Sequence, residues 1–331
     1  MARRLRKMAN DYHRPVMLTE TIEGLNIRPE GTYVDATFGG GGHSRAILEQ
    51  LNEQGRLVAF DQDEDAKARV DSGEWLAGDT PNPMASLPAK FTFIHENFRY
   101  LKNYLRLNGL REVDGILADL GVSSHQFDVA ERGFSTRFDG ELDLRMDRRQ
   151  ETTARDIVNS LDEESLARLL KLYGELPNAK QMARAIVEFR GRRLESGGIN
   201  TTGELKEAVS RHLPRGMENK YLAMLFQALR IEVNGELDAL KALLQQSIEV
   251  LRPGGRLVVI SYHSLEDRLV KNFMRSGNFE GNIEKDFFGN VMSPVRMVSR
   301  GAVQASEEEL QLNNRARSAR LRIGEKLDNG K

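Results

Sequence analysis

Between Thr32 and Leu51 the chain reads TYVDATFGGGGHSRAILEQL: an apolar run, four consecutive glycines, then apolar residues at helical spacing. A strand that turns into a helix through side-chain-free backbone restricts the fold more than any other stretch here. A tight turn needs only one residue at positive φ, so four glycines predict something lying close against the main chain. A helix starting there directs free N–H groups at a polar or anionic ligand. The turn is not a phosphate-binding P-loop, because no Gly-Lys-Ser/Thr follows. It also fails G-x-G-x-x-G, since Ser44 stands where the last glycine would be, counting from Gly39.

The alternation continues downstream. RLVAFD precedes EDAKARV, FTFIHE precedes FRYLKNYLRL, and the run DGILADL follows. Apolar runs without clean two-residue alternation predict strands buried on both faces, hence an α/β fold: a doubly wound parallel sheet with helices on both sides. The stretch DSGEWLAGDTPNPMASLPAK reads as a surface insertion. From Gly121 to about Gln150 periodicity disappears, and so long a loop in a compact domain points either to function or to a misassigned element. Helical patterns fill about Glu151 to Leu213, with Thr201 and Glu204 spaced as a capping box. The α/β pattern then resumes in GELDALKALLQQSIEVL, the turn RPGG, the strand RLVVISY and the helix HSLEDRLVKNFM. In that helix Ser264 and Asp267 are spaced as another capping box. SPVRMVSR and SARLRIGEK close the chain as a hairpin-like pair. The expected division is an α/β domain of residues 1–135 and 220–331 around an inserted helical domain of residues 136–219.

The second strand ends at Asp61, about twenty residues after the glycines. A carboxylate there accepts both hydroxyls of a ribose, as in dinucleotide-binding sheets. Glycine turn and acidic residue together predict an adenosine-bearing cofactor with a small charged group in place of a pyrophosphate, which describes S-adenosylmethionine. Phe98, after the third strand, is placed either against an adenine face or in the core of its helix. Asp119 ends the fourth strand and points at the crevice where open α/β sheets bind ligands. The small residues Gly121, Ser123 and Ser124 leave room for a planar group beside it.

Composition narrows the chemistry. There are no cysteines, which excludes disulfides, thiolate metal sites and a cysteine nucleophile, and fits a reducing cytoplasm. The six histidines are scattered without H-x-x-x-H, so no metal site is expected. No apolar run is long enough to span a membrane. The basic N-terminus lacks the apolar stretch of a secretory signal. A net charge of −1 means that a nucleic acid would be held by local patches: RLRK near the start, Arg190, Arg192 and Arg193 in RGRR, and NNRARSARLRIGEK.

The segments HRPVMLTE, DATFGGGGHS, FDQD, DLGVSSHQFD, RGFSTRFDGELDLRMD, RPGGRLVVISYHSLEDRLVK and NNRARSARLRIGEK occur together and in order. From about His13 to Lys326 the chain resembles the bacterial 16S ribosomal RNA cytosine-N4 methyltransferase family. The resemblance implies a Rossmann-like class I methyltransferase sheet and transfer of a methyl group from S-adenosylmethionine to the exocyclic N4 of a cytidine. That cytidine lies in the decoding centre of 16S rRNA, in the small ribosomal subunit, which places the reaction in the cytoplasm. The implied cofactor contacts fall on Gly41, Gly42, His43, Asp61, Phe98, Asp119 and Gln126. The sequence departs from the pattern in the insertion before Phe91 and in STRF after Gly133-Phe134.

The chemistry agrees. Methylation at cytosine C5 usually needs a cysteine adding to the ring, so its absence favours an amine or hydroxyl acceptor. A carboxylate or carbonyl on the amine N–H helps that nitrogen attack, and Asp119, or a backbone carbonyl of residues 120–123, is the expected catalytic acceptor. Many amino-methyltransferases carry Asp/Asn-Pro-Pro-Tyr at this point. Here the sequence is Asp-Leu-Gly-Val, so a stacking aromatic is expected elsewhere, from Phe134, Phe138 or Tyr262. The helical insertion and the RGFSTRFDGELDLRMD loop are the expected RNA-holding parts. Two competing functions are a nicotinamide-dependent oxidoreductase and a non-catalytic ribosome-assembly factor. The sequence is compatible with a homodimer and does not require one.

Overall fold

The computed structural model describes residues 15–76, 90–193, 195, 197–289 and 291–328. The N-terminal basic patch with His13, and most of the insertion before Phe91, lie outside the described residues. The chain divides into two compact units, one made of Met1–Gly121 and Asp238–Lys331, the other of Val122–Leu237.

The first unit is built on a seven-stranded sheet ordered β3-β2-β1-β4-β5-β7-β6. The strands are β1 (Thr32–Asp35), β2 (Arg56–Phe60), β3 (Lys90–Ile94), β4 (Val113–Asp119), β5 (Leu251–Ser261), β6 (Val295–Met297) and β7 (Arg320–Lys326). β1 to β5 run parallel, while β7 pairs antiparallel with both β5 and β6. The chain steps outward from β1 to β3 and then returns to β4 on the other side of β1. Strand order therefore reverses between β1 and β4, where open sheets leave a crevice at their carboxyl ends.

Successive strand residues serve opposite cores, which is the two-residue period of a pleated sheet covered on both faces. Val34, Val58, Phe60, Ile116, Ala118, Leu257 and Val259 join one apolar cluster. Tyr33, Leu57, Ala59, Leu117, Val258 and Ile260 join the other. The first cluster is covered by α4 (Leu101–Leu107), α11 (Glu236–Val250) and α12 (Ser264–Ser276); the second by α1 (Leu18–Leu25), α2 (Gly42–Leu48) and α3 (Glu64–Ser72). Both faces are dry, which is why the strands read as apolar runs and not as alternation. The stretch RPGG is absorbed into β5 as a register shift opposite Val113 and Gly115.

The second unit is helical: α5 (Ser124–Asp128), α6 (Ala154–Ser160), α7 (Glu163–Gly174), α8 (Ala179–Gly191), α9 (Thr202–Val209) and α10 (Glu218–Asn234). The unit begins at Val122, and not at residue 136, because the aperiodic loop buries Phe134, Leu142, Leu144 and Met146 in the helical core. Backbone bonds fasten it there. Leu142 N–H donates to Asn200 O at 2.9 Å, and Met146 N–H donates to the Asn234 side chain at 2.7 Å. α10 belongs to this unit for the same reason, since Leu225, Phe226 and Leu229 pack into that core. The Thr201–Glu204 capping box is present. The one expected at Ser264 is not: His263 caps α12, and Asp267 instead pairs with Arg322.

Candidate active site at the crest of the sheet

At the carboxyl end of β1, main-chain bonds fix the path of the turn. Ala36 N–H donates to Leu117 O and Phe38 N–H to Phe60 O, each at 2.8 Å, so the turn is sewn to β4 and to the end of β2. Gly39 and Gly41 take positive φ of 52° and 78°. A Cβ on Gly41 would stand 2.8 Å from the Phe38 and Trp75 rings, and one on Gly42 would stand 2.3 Å from Pro15 Cγ. These two glycines are thus required by the protein's own packing beneath the turn. Gly40 differs, because a Cβ there would meet nothing within 4 Å. The turn is closed below and open above, a cradle for a group approaching the backbone. Trp75 is buried, so the start of the stretch expected as a surface insertion belongs to the core.

Asp61 follows β2 and holds this turn. Its carboxylate accepts from Gly39 N–H at 2.7 Å on one oxygen and from Asp63 N–H at 2.9 Å on the other. Each carboxylate oxygen has a second lone pair, so capacity for two hydroxyl donors remains. Burial pushes the Asp61 carboxyl up to about 7, although the two amides pull the other way.

Asp119 ends β4. Its main-chain N–H donates to Thr37 Oγ1 at 2.7 Å, and its Oδ1 accepts from the Tyr262 hydroxyl at 2.7 Å. Burial pushes its carboxyl up to about 7, with the Tyr262 bond lowering it and Glu266 adding to the rise. Its Oδ2 lies 3.7 Å from His43 Nδ1. The other ring nitrogen, Nε2, is 3.1 Å from Val16 O. A carbonyl only accepts, so Nε2 carries the hydrogen and Nδ1 keeps its lone pair. Burial also lowers the His43 pKa, favouring the neutral ring. Beneath the same turn, Asp35 accepts from Ser44 Oγ at 2.7 Å and from Thr37 N–H at 3.1 Å. Burial raises its pKa too.

Gly41, Gly42, His43, Asp61 and Asp119 thus sit together at the carboxyl ends of β1, β2 and β4. Phe98 follows β3 on the same edge, half-buried against one core and preceded by the Asn97 cap. Gln126 belongs to the helical unit, where it completes a capping box with Ser123. Thr37, Asp35 and Ser44 were not singled out from the sequence, although an Asp at each inner strand end was a readable signal. The Val16 carbonyl had no sequence signal at all.

The basic and aromatic candidates separate clearly. Arg190 donates to the Val158 and Leu161 carbonyls at the end of α6, Arg193 pairs with Glu204, and Arg322 is buried against Asp267. These are structural cations. Arg192 remains exposed, as do Arg315, Arg317 and Arg320. Of the aromatic candidates, Phe134 is 4% exposed and Tyr262 is bonded to Asp119, whereas Phe138 is 51% exposed.

Comparison with known proteins adds the following. The model of the MraW methylase family matches residues 10–327. A protein of Flavobacterium johnsoniae named ribosomal RNA small subunit methyltransferase H is 53% identical over 317 residues, covering 96% of this chain and 98% of its own length. A Cytophaga hutchinsonii protein of the same name is 56% identical over 315 residues, covering 95% and 99%. Among the described residues no helix is long and apolar enough to cross a membrane.

Proposed function

Because the chain belongs to the MraW methylase family, we propose that it methylates small-subunit ribosomal RNA, at the exocyclic N4 of a cytidine in the decoding centre of 16S rRNA. The donor is S-adenosylmethionine, the setting the cytoplasm, and the helical unit the part that holds RNA. The names of the relatives at 53% and 56% identity support the substrate class. The observation that carries the atom-level reading is the Asp119 carboxylate, pinned by Tyr262 at the switch point of the sheet beside a cradle open at Gly40.

The residues fit the donor. Asp61 retains lone pairs for the ribose hydroxyls, the turn at Gly40 admits close approach, and Phe98 lies on the same edge. Gly41 and Gly42 keep the cradle's shape, and His43 Nδ1 lies 3.7 Å from Asp119 Oδ2. When bound, S-adenosylmethionine supplies a methyl group on a sulfonium with a neutral leaving group. What the protein must add is alignment, which lowers such a barrier by several kcal/mol, up to about 10. Asp119 Oδ2 accepts one N–H of the cytosine amine. The nitrogen lone pair, otherwise delocalised into the ring, is then drawn toward the incoming carbon, and the proton passes to the carboxylate as the N–C bond forms. The absence of cysteine agrees with attack by the amine and not with addition to the ring. Phe138, one of the three aromatic candidates for stacking on a splayed base, is the exposed one of the three.

The test is mass mapping of the methylated nucleotide after incubating the protein and donor with unmodified small subunits. One N4-methylated cytidine is expected. Asp119→Asn should lower single-turnover transfer by about 10²- to 10⁴-fold. A methyl group on another base or atom, or full turnover in Asp119→Asn, overturns the reading.

A further inference from the structure

Asp119 has two oxygens, and only one can serve the substrate amine. Oδ1 is occupied by the Tyr262 hydroxyl at 2.7 Å. Among the described residues no donor reaches Oδ2, and what it faces is the lone pair of His43 Nδ1 at 3.7 Å. Two acceptors at that separation repel, so Oδ2 is held poised for a donor brought by a ligand.

Tyr262 is itself fixed from several directions. It directly follows β5, whose Ile260 pairs with Asp119, and Leu120 N–H donates to Ile260 O at 3.0 Å. The phenol and the carboxylate therefore start from neighbouring strand ends. Tyr262 N–H donates to Glu266 Oε2 at 2.9 Å, and Glu266, in the first turn of α12, is 3% exposed. The ring packs against the core cluster on the α1–α3 side, and a Cβ on Gly121 would touch it at 3.4 Å. Gly121 itself holds a φ of 94°, in the region that favours glycine.

We propose that Tyr262 is a positioning residue for methyl transfer: its hydroxyl selects which oxygen of Asp119 meets the substrate and fixes the direction of that oxygen. The inference rests on the role of Asp119 given above. Stacking on the target base is then not the task of Tyr262, since its hydroxyl edge is committed inside the site. The hydroxyl stays protonated, because burial and the negative charge of Asp119 raise its pKa well above the ordinary value. Removing it takes away the one side-chain hydrogen bond that holds the Asp119 carboxyl down against burial. The other titratable groups around the pair, His43 and Asp35 beneath the turn, Glu266 on α12 and Glu309 on α13 (Glu307–Leu312), stay in place.

The experiment uses the full chain with Tyr262→Phe, and with 3-fluorotyrosine incorporated at position 262 as a more acidic donor. First, a carbon-13 NMR titration of the Asp119 carboxyl in the ligand-free protein reads the bond without any turnover. The Asp119 midpoint should rise by about half to one pH unit in Tyr262→Phe and fall with fluorotyrosine. Second, single-turnover methyl transfer at saturating donor should drop about ten- to a hundred-fold in Tyr262→Phe, with its acid limb moving up alongside the NMR midpoint. Donor Kd by calorimetry should stay within about threefold. An unmoved midpoint in both variants overturns the proposal, as does a shifted midpoint with wild-type transfer. A rate loss matched by weakened donor binding, with an unmoved midpoint, assigns Tyr262 to packing and also overturns it. If the unaltered protein transfers no methyl group to small subunits, it is the reading of Asp119 that fails, and the NMR midpoints still report whether Tyr262 governs the carboxyl.

Discussion

The two units treat charge in opposite ways. In the sheet unit, Asp35, Asp61 and Asp119 all have pKa values raised, and burial is the largest cause in each. In the helical unit, Asp139, Asp156, Asp162, Glu188 and Glu218 are all lowered, and in each the leading cause is a hydrogen bond. Asp156 and Asp162 meet the exposed N–H or hydroxyl groups of a helix start, where a carboxylate is stabilised. The helical unit thus uses Asp139, Asp156, Asp162 and Glu218 at helix starts, while Glu188 pairs with Arg184 along one helix. The sheet unit gathers carboxyls where burial works against their charge, which costs stability and is the pattern expected of the proposed site.

The sharpest break of this comparison is Asp61→Ala. It removes the proposed ribose acceptor along with the anchor of Gly39, and donor affinity should fall about 100-fold, roughly 2.7 kcal/mol. Isothermal titration with S-adenosylmethionine checks it; unchanged affinity would place the donor elsewhere. Next is Gly41→Ala, which forces a side chain into positive φ and against two aromatic rings. About 2 kcal/mol of stability should be lost from the sheet unit, seen as reduced hydrogen-exchange protection in β1 and β4. Equal loss of protection in α7 and α10 would mean that the two units unfold as one.

Thr201→Ala tests the opposite unit. Losing the capping box should cost about 1 kcal/mol in the helical unit, with donor Kd unmoved. The smallest effect concerns pH. Asp61 and Asp119 titrate near 7 in the fold and near the ordinary 3.8 when unfolded, so the folded sheet unit binds protons preferentially between those values. Its stability should therefore be fully present below about pH 4 and decline as pH rises through 7. The capped carboxylates of the helical unit have the reverse sign, losing stability only as pH falls below the ordinary carboxylate range. Rate-corrected hydrogen exchange at pH 5.5 and 8 should show protection falling in the sheet unit and unchanged in the helical unit; parallel behaviour of the two units would remove the contrast.

Much of this molecule was legible in its sequence. The dry runs around Val34, Val58 and Ile116 announced a sheet covered on both faces, because a strand buried twice has no polar face to show. That the glycine turn, Asp61 and Asp119 come together was readable because each stands at a strand end, where a parallel sheet leaves its crevice. The beginning of the helical unit was not readable. The loop from Val122 to Gln150 has no periodicity, and only packing shows Phe134, Leu142, Leu144 and Met146 entering the helical core. The sequence pattern also misassigned Arg190, Arg322 and Asp267, since a charge in a list of residues looks the same whether it faces solvent or a buried partner.

What composition and spacing determine here is a class of chemistry: a doubly wound sheet, a nucleoside-sized ligand, and no thiol to attack a ring. The tertiary structure decides the atoms. Asp119 and Tyr262 are 143 positions apart and meet at 2.7 Å, because two parallel strands end side by side. Local propensity acts over a few residues. Hydrogen bonds between distant strand ends exist only once the sheet has closed, so no reading of the chain in order can place them.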